Sequence, residues 1–340
     1  MKIGMIFPGQ GAQYLGMGKE FYDKERLVQE LFEEASQCLD QNFVRLCFAS
    51  SEKELCQTIN AQTSIFLVSA AIYVLLNKKY EIVPDIVAGH SLGEYSAIFA
   101  AKGLSFPDTL YLLKKRSLFM EEATKNTKGG MLAVFGMAEE ELKYICDRYD
   151  NSYNSSHVAE IVNYNSPQQL VISGTTSELE KIQQDLKKDK IKSIMLNVSG
   201  AFHSRLMKDS EKDFAQYMLK VDFNNLDIPL INNLDAKIIQ KQQEVKDSLI
   251  KQLSSPILWW QSMQHLKDCD LIIEVGPGDK LSKILKKEWP DKNIVSINTL
   301  NNLADVLSSL DKKLELSEHE DPENIDGDLQ DEEDFIEKDS

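Results

Sequence analysis

A serine stands between two glycines in Gly89-His90-Ser91-Leu92-Gly93, after the apolar run DIVA and before the helix-forming stretch LGEYSAIFAAKG. In a strand–turn–helix context, a G-x-S-x-G serine projects its hydroxyl from a tight turn. It also leaves the backbone N–H of the next residue, here Leu92, available to an oxyanion. The flanking glycines let strand, turn and helix pack without side-chain clash. The chemistry predicted is nucleophilic attack on an acyl group through an acyl-serine; the competing reading is a structural turn serine.

A serine nucleophile needs a base, normally a histidine with a reference pKa of ~6.5. The sequence has five: His90, His157, His203, His265 and His319. His319 lies in an acidic tail. His90 adjoins Ser91 but is directed to the other side of the turn. His157 opens a predicted strand and His265 ends a polar helix, so both read as surface residues. His203, in NVSGAFHSRLM, follows the last strand of a predicted small subdomain, where the chain re-enters a larger one. That places it at a cleft and makes it the candidate base, against the alternative of a cap on the next helix. No acid presents itself as a third member. A backbone carbonyl can fix the imidazole tautomer instead, so a Ser-His dyad is physically adequate.

Arg116 is out of place. In FPDTLYLLKKRSLFMEEAT, Leu112, Leu113, Phe119, Met120 and Ala123 form one apolar stripe at helical spacing. Arg116 falls inside it, while Lys114 and Lys115 point outward. An unpaired buried guanidinium costs about 3–5 kcal/mol, so it must find an anion. Either a structural salt bridge supplies one, or the arginine is a bidentate clamp for a carboxylate carried by the substrate.

GQGAQYLG, after the first apolar run, has the look of a dinucleotide loop. Tyr14 stands where the third glycine belongs, Pro8 precedes it, and no ribose-binding acid ends a second strand. NAD binding is rejected. The glycine-flanked backbone can instead offer the N–H of Gln10 to an oxyanion.

These residues need a scaffold. Apolar runs at 3–7, 85–89, 228–231, 271–275 and 294–297 read as buried strands, with helical patterns such as 63–80 between them. That alternation predicts an α/β fold with a mainly parallel sheet and a hydrolase-like nucleophile elbow. One segment differs: strand 131–137, helix 138–149, strand 157–165, strand 169–174, helix 176–189 and strand 191–198 follow the ferredoxin-like βαββαβ order. The expected organisation is a large domain from 1–126 and 199–315, an inserted subdomain at 127–198, and a cleft between them for substrate. An acidic, disordered tail at 316–340 completes it.

With 340 residues, 42% of them hydrophobic, the chain can hold a sizeable core. No apolar run approaches the ~20 residues of a membrane span, and MKIGMIFPGQ is too short for a signal peptide. The net charge of −16 is concentrated in residues 317–340, which carry twelve acidic residues and one lysine. The remainder is mildly acidic, which gives no support to nucleic-acid binding. The tail is charge-rich and aromatic-poor, and its DGD…DEED run lacks the order of a calcium loop. Five cysteines without CxxC spacing read as reduced thiols in a cytoplasm. No metal and no cofactor are expected, and the chain reads as a monomer.

The ordered set FPGQGAQ, GHSLGEYSA, KKRSLFM with Arg116, NSPQQLVISG, GAFHSRLM, QLSSPILW and EVGPG resembles malonyl-CoA:acyl carrier protein transacylases. These are relatives of the acyltransferase domains of fatty-acid and polyketide synthases. The resemblance runs from Met1 to around Leu310; the tail after Leu316 has no counterpart. It implies Ser91 as nucleophile, His203 as base, Arg116 as clamp for the malonyl carboxylate, and the N–H groups of Gln10 and Leu92 as oxyanion hole. It implies that the main-chain carbonyl of Gln252 orients the histidine, and that Gln62 and Asn165 line the acyl and coenzyme A sites. Phe202 resembles the bulky residue that crowds out a 2-methyl branch. The implied partners are malonyl-CoA and phosphopantetheinylated acyl carrier protein. Because such carriers are acidic, Lys283, Lys286 and Lys287 are candidates for a basic docking face, although a solvated helix face is the more common explanation of such a cluster. A serine thioesterase or hydrolase, a non-catalytic carrier-binding subunit, and a stand-alone acyltransferase of a polyketide pathway stand as alternatives.

Overall fold

The computed structural model describes residues 1–126, 128–151 and 156–318, so most of the acidic tail lies outside the described residues. Among the described residues the strands are β1 (Ile3–Phe7), β2 (Ile86–Gly89), β3 (Gly129–Phe135), β4 (Ala159–Ser166), β5 (Gln169–Thr175), β6 (Lys192–Met195), β7 (Leu230–Ile231), β8 (Ile238–Ile239), β9 (Leu271–Val275) and β10 (Ile294–Ile297).

The larger sheet has the order β10-β9-β1-β2-β7-β8. All neighbours are parallel except β7 and β8. Strands β1 and β9 read IGMIF and LIIEV without alternation, as strands covered on both faces must, and every residue in them is buried. The polar exception, Glu274, receives the N–H groups of Leu281 and Ser282 at 3.2 and 2.7 Å. A buried carboxyl thereby caps the first turn of the helix Lys280–Glu288.

The smaller sheet, β4-β5-β3-β6, is antiparallel throughout, the ferredoxin-like arrangement with helices Glu139–Tyr149 and Thr176–Lys188. Its own core includes Leu132, Leu142, Ile172 and Ile182. It is tied to the larger body through Ile257, whose N–H donates to Val162 O at 2.7 Å and whose carbonyl accepts from Tyr164 N at 3.0 Å.

Three expectations need correction. The apolar strand at 228–231 shrinks to two residues because Pro229 has no N–H for the ladder; its carbonyl still accepts from Val87 N at 2.9 Å. The strand expected over 191–198 ends at Met195, and Leu196, Asn197 and Val198 turn aside to wall a cleft. An apolar stretch of membrane-spanning length does exist: the helix Thr58–Tyr80 has 23 residues and sufficient hydropathy. Yet 89% of its apolar window is buried inside the protein, so it forms the core of the larger body.

Candidate active site

The turn after β2 is built on close backbone approaches. A Cβ on Gly89 would sit 1.9 Å from Gly93 O, and one on Gly93 would sit 2.2 Å from Phe7 O. Both positions therefore exclude side chains, and the helix Gly93–Ala100 can start directly behind the strand ends. Ser91 between them has φ 54°, left-handed for a non-glycine residue, a strain typical of functional turns. Asn233, just past β7, holds the turn: its Oδ1 accepts from Ser91 N and its Nδ2 donates to Gly89 O, both at 2.7 Å.

His203, also left-handed at φ 65°, places Nε2 2.8 Å from Ser91 Oγ. Its Nδ1 lies 2.8 Å from the main-chain carbonyl of Gln252, which can only accept. The proton is thereby assigned to Nδ1, and Nε2 is left as acceptor for the serine hydroxyl. Burial, and then the charge of Arg116, pushes this imidazole down to about 3. Because the shift is downward, His203 stays neutral and competent as a base far below the usual imidazole range. The rate of serine acylation is accordingly expected to hold from pH 8 to about pH 5, with no break near ~6.5. A single-turnover profile that halves near the free-imidazole value would contradict this.

Arg116 is 1% exposed and points at the serine. Its Nη2 donates to Ser91 Oγ at 3.0 Å and to Gln252 Oε1 at 3.1 Å, and its Nη1 donates to Gln62 Oε1 at 2.8 Å. Among the described residues no carboxylate forms an ion pair with it, and its Nε has no partner. Neutral acceptors hold the guanidinium, and the structural salt bridge weighed above is not found.

The nearest buried acid is one residue removed. Glu94 is 0% exposed, and its Oε2 accepts from Gln252 Nε2 at 2.6 Å and from Asn233 N at 3.3 Å. Burial pushes its carboxyl up to about 8. The Gln252 Nε2 donates as well to Ser91 O at 3.0 Å. Gln252 thus serves the site twice, by its backbone at the base and by its side chain at the guanidinium.

The N–H groups of Gln10 and Leu92 have no acceptor among the described residues. Gln10 lines a cavity of about 440 Å³ between the two sheets, together with Cys56, His90, Asn165, Val198 and Lys280. His90 turns away from the serine to this wall, its Nε2 2.9 Å from Asn165 Oδ1 and its ring against Trp259. Gln62 belongs to the guanidinium's surroundings, and Phe202 is buried beside His203 at 3% exposure. His157 pairs with Glu178 and His265 with a backbone carbonyl, both on exposed positions away from Ser91. Lys283, Lys286 and Lys287 are exposed on the helix Lys280–Glu288, with Lys283 2.8 Å from the Asp279 carboxylate.

Four contributors escape the sequence reading: Glu94, Asn233, the side chain of Gln252, and Lys280, which reaches across the cavity mouth to Gly11 O. Glu94 carries a usable signal, since a carboxylate in the apolar helix GEYSAIFA is as misplaced as Arg116 in its stripe.

A mainly parallel α/β body, a strained serine turn and a histidine held by a carbonyl define a serine enzyme of the acyl-transfer kind. Comparison with known proteins narrows this class: the chain belongs to the acyl transferase domain family, whose model matches residues 5–303, and it is an acyltransferase. The malonyl CoA-acyl carrier protein transacylase of Bacillus subtilis (strain 168) is 39% identical over 289 residues, 84% of this chain and 90% of the relative. The crystal structure of the malonyl CoA-acyl carrier protein transacylase of Clostridium perfringens superposes with a TM-score of 0.86 at 33% identity, covering 94% of this chain and 100% of that one. A malonyl-transacylase solved in complex with its type II PKS acyl-carrier protein gives a TM-score of 0.86 at 29% identity, covering 91% of this chain and 100% of that one.

Proposed function

We propose that the chain transfers the malonyl group from malonyl-CoA to the phosphopantetheine thiol of acyl carrier protein, supplying fatty-acid synthesis in the cytoplasm. The observation that carries this reading is Arg116: a buried guanidinium without a carboxylate, 3.0 Å from the serine oxygen. A substrate carboxylate on the acyl group is the anion that completes it.

In this reading Ser91 Oγ–H passes its proton to His203 Nε2 as Oγ attacks the thioester carbonyl carbon. The oxyanion is met by the N–H groups of Gln10 and Leu92. Collapse breaks the C–S bond, and the departing coenzyme A sulfur takes the proton from His203. The malonyl-serine ester then holds its carboxylate on Arg116, whose Nη2 has exchanged Ser91 Oγ for the new acceptor. The carrier thiol enters the same cleft, gives its proton to His203 and attacks the ester carbon. Serine leaves with that proton, and the cycle is ping-pong. The large and small domains, at 1–126 with 199–315 and 127–198, form the two walls of the cleft. Lys283, Lys286 and Lys287 supply the face for an acidic carrier, and Gln62 and Asn165 line the acyl and coenzyme A positions. A hydrolase shares Ser91 and His203 but gives Arg116 no task.

Intact mass after incubation with malonyl-CoA alone tests the reading. One malonyl adduct is expected, stable until acyl carrier protein is added; free malonate accumulating with no adduct would point to hydrolysis. A second preference follows from the bulk of Phe202 beside the base. Phe202→Ser is expected to raise acylation by methylmalonyl-CoA by about tenfold, the scale of one methyl group in a pocket. An unchanged methylmalonyl rate removes Phe202 from the selectivity account.

A further inference from the structure

We propose that Glu94 is a positioning residue for malonyl selection, acting through the Gln252 side chain and resting on the malonyl reading above. The Gln252 amide has an acceptor end and a donor end. Its Oε1 receives Arg116 Nη2 at 3.1 Å, while its Nε2 donates to Glu94 Oε2 at 2.6 Å and Ser91 O at 3.0 Å. Turned over, the amide would set its two N–H donors against a guanidinium that has only donors, and its oxygen against three further acceptors, since Asn233 Oδ1 also lies 3.4 Å from Nε2. Glu94, with the shortest of these contacts at 2.6 Å, weights Gln252 most strongly toward presenting its oxygen to the clamp.

The spacing also matters. A carboxylate bonded directly to Arg116 would satisfy the guanidinium and close it to substrate. Held one amide away, Glu94 orients the guanidinium through a neutral acceptor and leaves it able to take a substrate carboxylate. Glu94 sits on the first turn of the elbow helix, three residues after Ser91, so the same element carries the nucleophile and the device that aims the clamp. Its Oε1 has no partner among the described residues, so a proton on that oxygen leaves Oε2 an acceptor in either charge state.

The test is the ratio of single-turnover serine acylation rates with malonyl-CoA and acetyl-CoA, read by intact mass, because a ratio cancels general damage to the fold. Glu94→Gln keeps an oxygen facing Gln252 Nε2 and is expected to hold the ratio within about threefold of wild type. Glu94→Leu removes the acceptor and is expected to lower it by about tenfold or more. An unchanged ratio in Glu94→Leu overturns the proposal. So does a Glu94→Gln ratio that falls as far, since orientation is then not what the residue supplies. Should Glu94→Leu not fold, Gln252→Leu takes its place, because it deletes the amide and keeps the main-chain carbonyl on His203. Its ratio must fall, and a retained ratio is equally fatal. A wild-type protein that forms no malonyl adduct sinks the malonyl reading itself, whereas a normal adduct with unmoved variants sinks only the role of Glu94.

Discussion

Ser91→Ala is expected to abolish the malonyl adduct and to lower transfer to acyl carrier protein by about 10⁴–10⁶-fold. The backbone N–H groups of Gln10 and Leu92 and the Arg116 guanidinium survive the substitution, so on the proposed reading malonyl-CoA should still bind, but no covalent intermediate can connect the two half-reactions. His203→Ala leaves the nucleophile without the acceptor now 2.8 Å away, and general-base assistance of this kind is worth about 10²–10⁴-fold. The two losses should not add. With the serine gone there is no proton for the histidine to take, so the double variant should match Ser91→Ala within error. A double variant markedly slower than Ser91→Ala would mean that His203 activates something else, such as water. Intact mass and a carrier-loading assay on all three proteins read this out.

The second large effect belongs to Arg116. Arg116→Ala is expected to slow serine acylation by malonyl-CoA by about 10²–10³-fold, from the ~3–5 kcal/mol of an uncompensated buried charge at ~1.4 kcal/mol per tenfold. Acetyl-CoA should behave in the opposite way. In the wild type an acetyl methyl leaves the guanidinium without its anion; in the variant that penalty is gone. The ratio of the two rates should therefore approach unity or invert. Arg116→Lys is not a rescue, since a point charge cannot occupy Ser91, Gln252 and Gln62 as the planar fork does. Malonyl preference surviving in Arg116→Ala would show that the carboxylate is recognised elsewhere.

Ser91 and Arg116 were legible in the sequence because each conflicts with a local rule, and His203 by elimination among five histidines and by its place after the last strand of the smaller subdomain. A serine between glycines after an apolar run serves a strand poorly, and an arginine in an apolar stripe serves a core poorly. Gln10 was suggested by the glycine-flanked backbone after the first strand, whereas the Gln252 carbonyl came only through the family resemblance, because a backbone group leaves no trace in residue type. Asn233 was not legible at all: its two bonds to the elbow span 142 and 144 residues of chain and depend on β7 ending beside β2. The fold was readable from the alternation of apolar runs and helical stripes and from the βαββαβ order. Its errors fall where a single residue overrides the pattern, as Pro229 does, or where chain leaves a sheet to wall the cleft, as Leu196 to Val198 do.

The placement of β1 has a consequence for how the molecule is made. Strand β1, which precedes every other described strand in the chain, lies in the interior of the sheet, between β2 and β9. Its β9 edge stays unpaired until residues 271–275 have been added, about 270 residues later. At about 5–20 residues per second that is roughly 13–54 s during translation, with an apolar strand edge that invites wrong pairing. The smaller sheet, complete once residue 195 is out, has all its strands in hand long before that. Ser91 and Arg116 emerge early, His203 follows the smaller sheet, and the Gln252 carbonyl bonded to it comes later still. The residues of the site are thus not all present until residue 252 has been added.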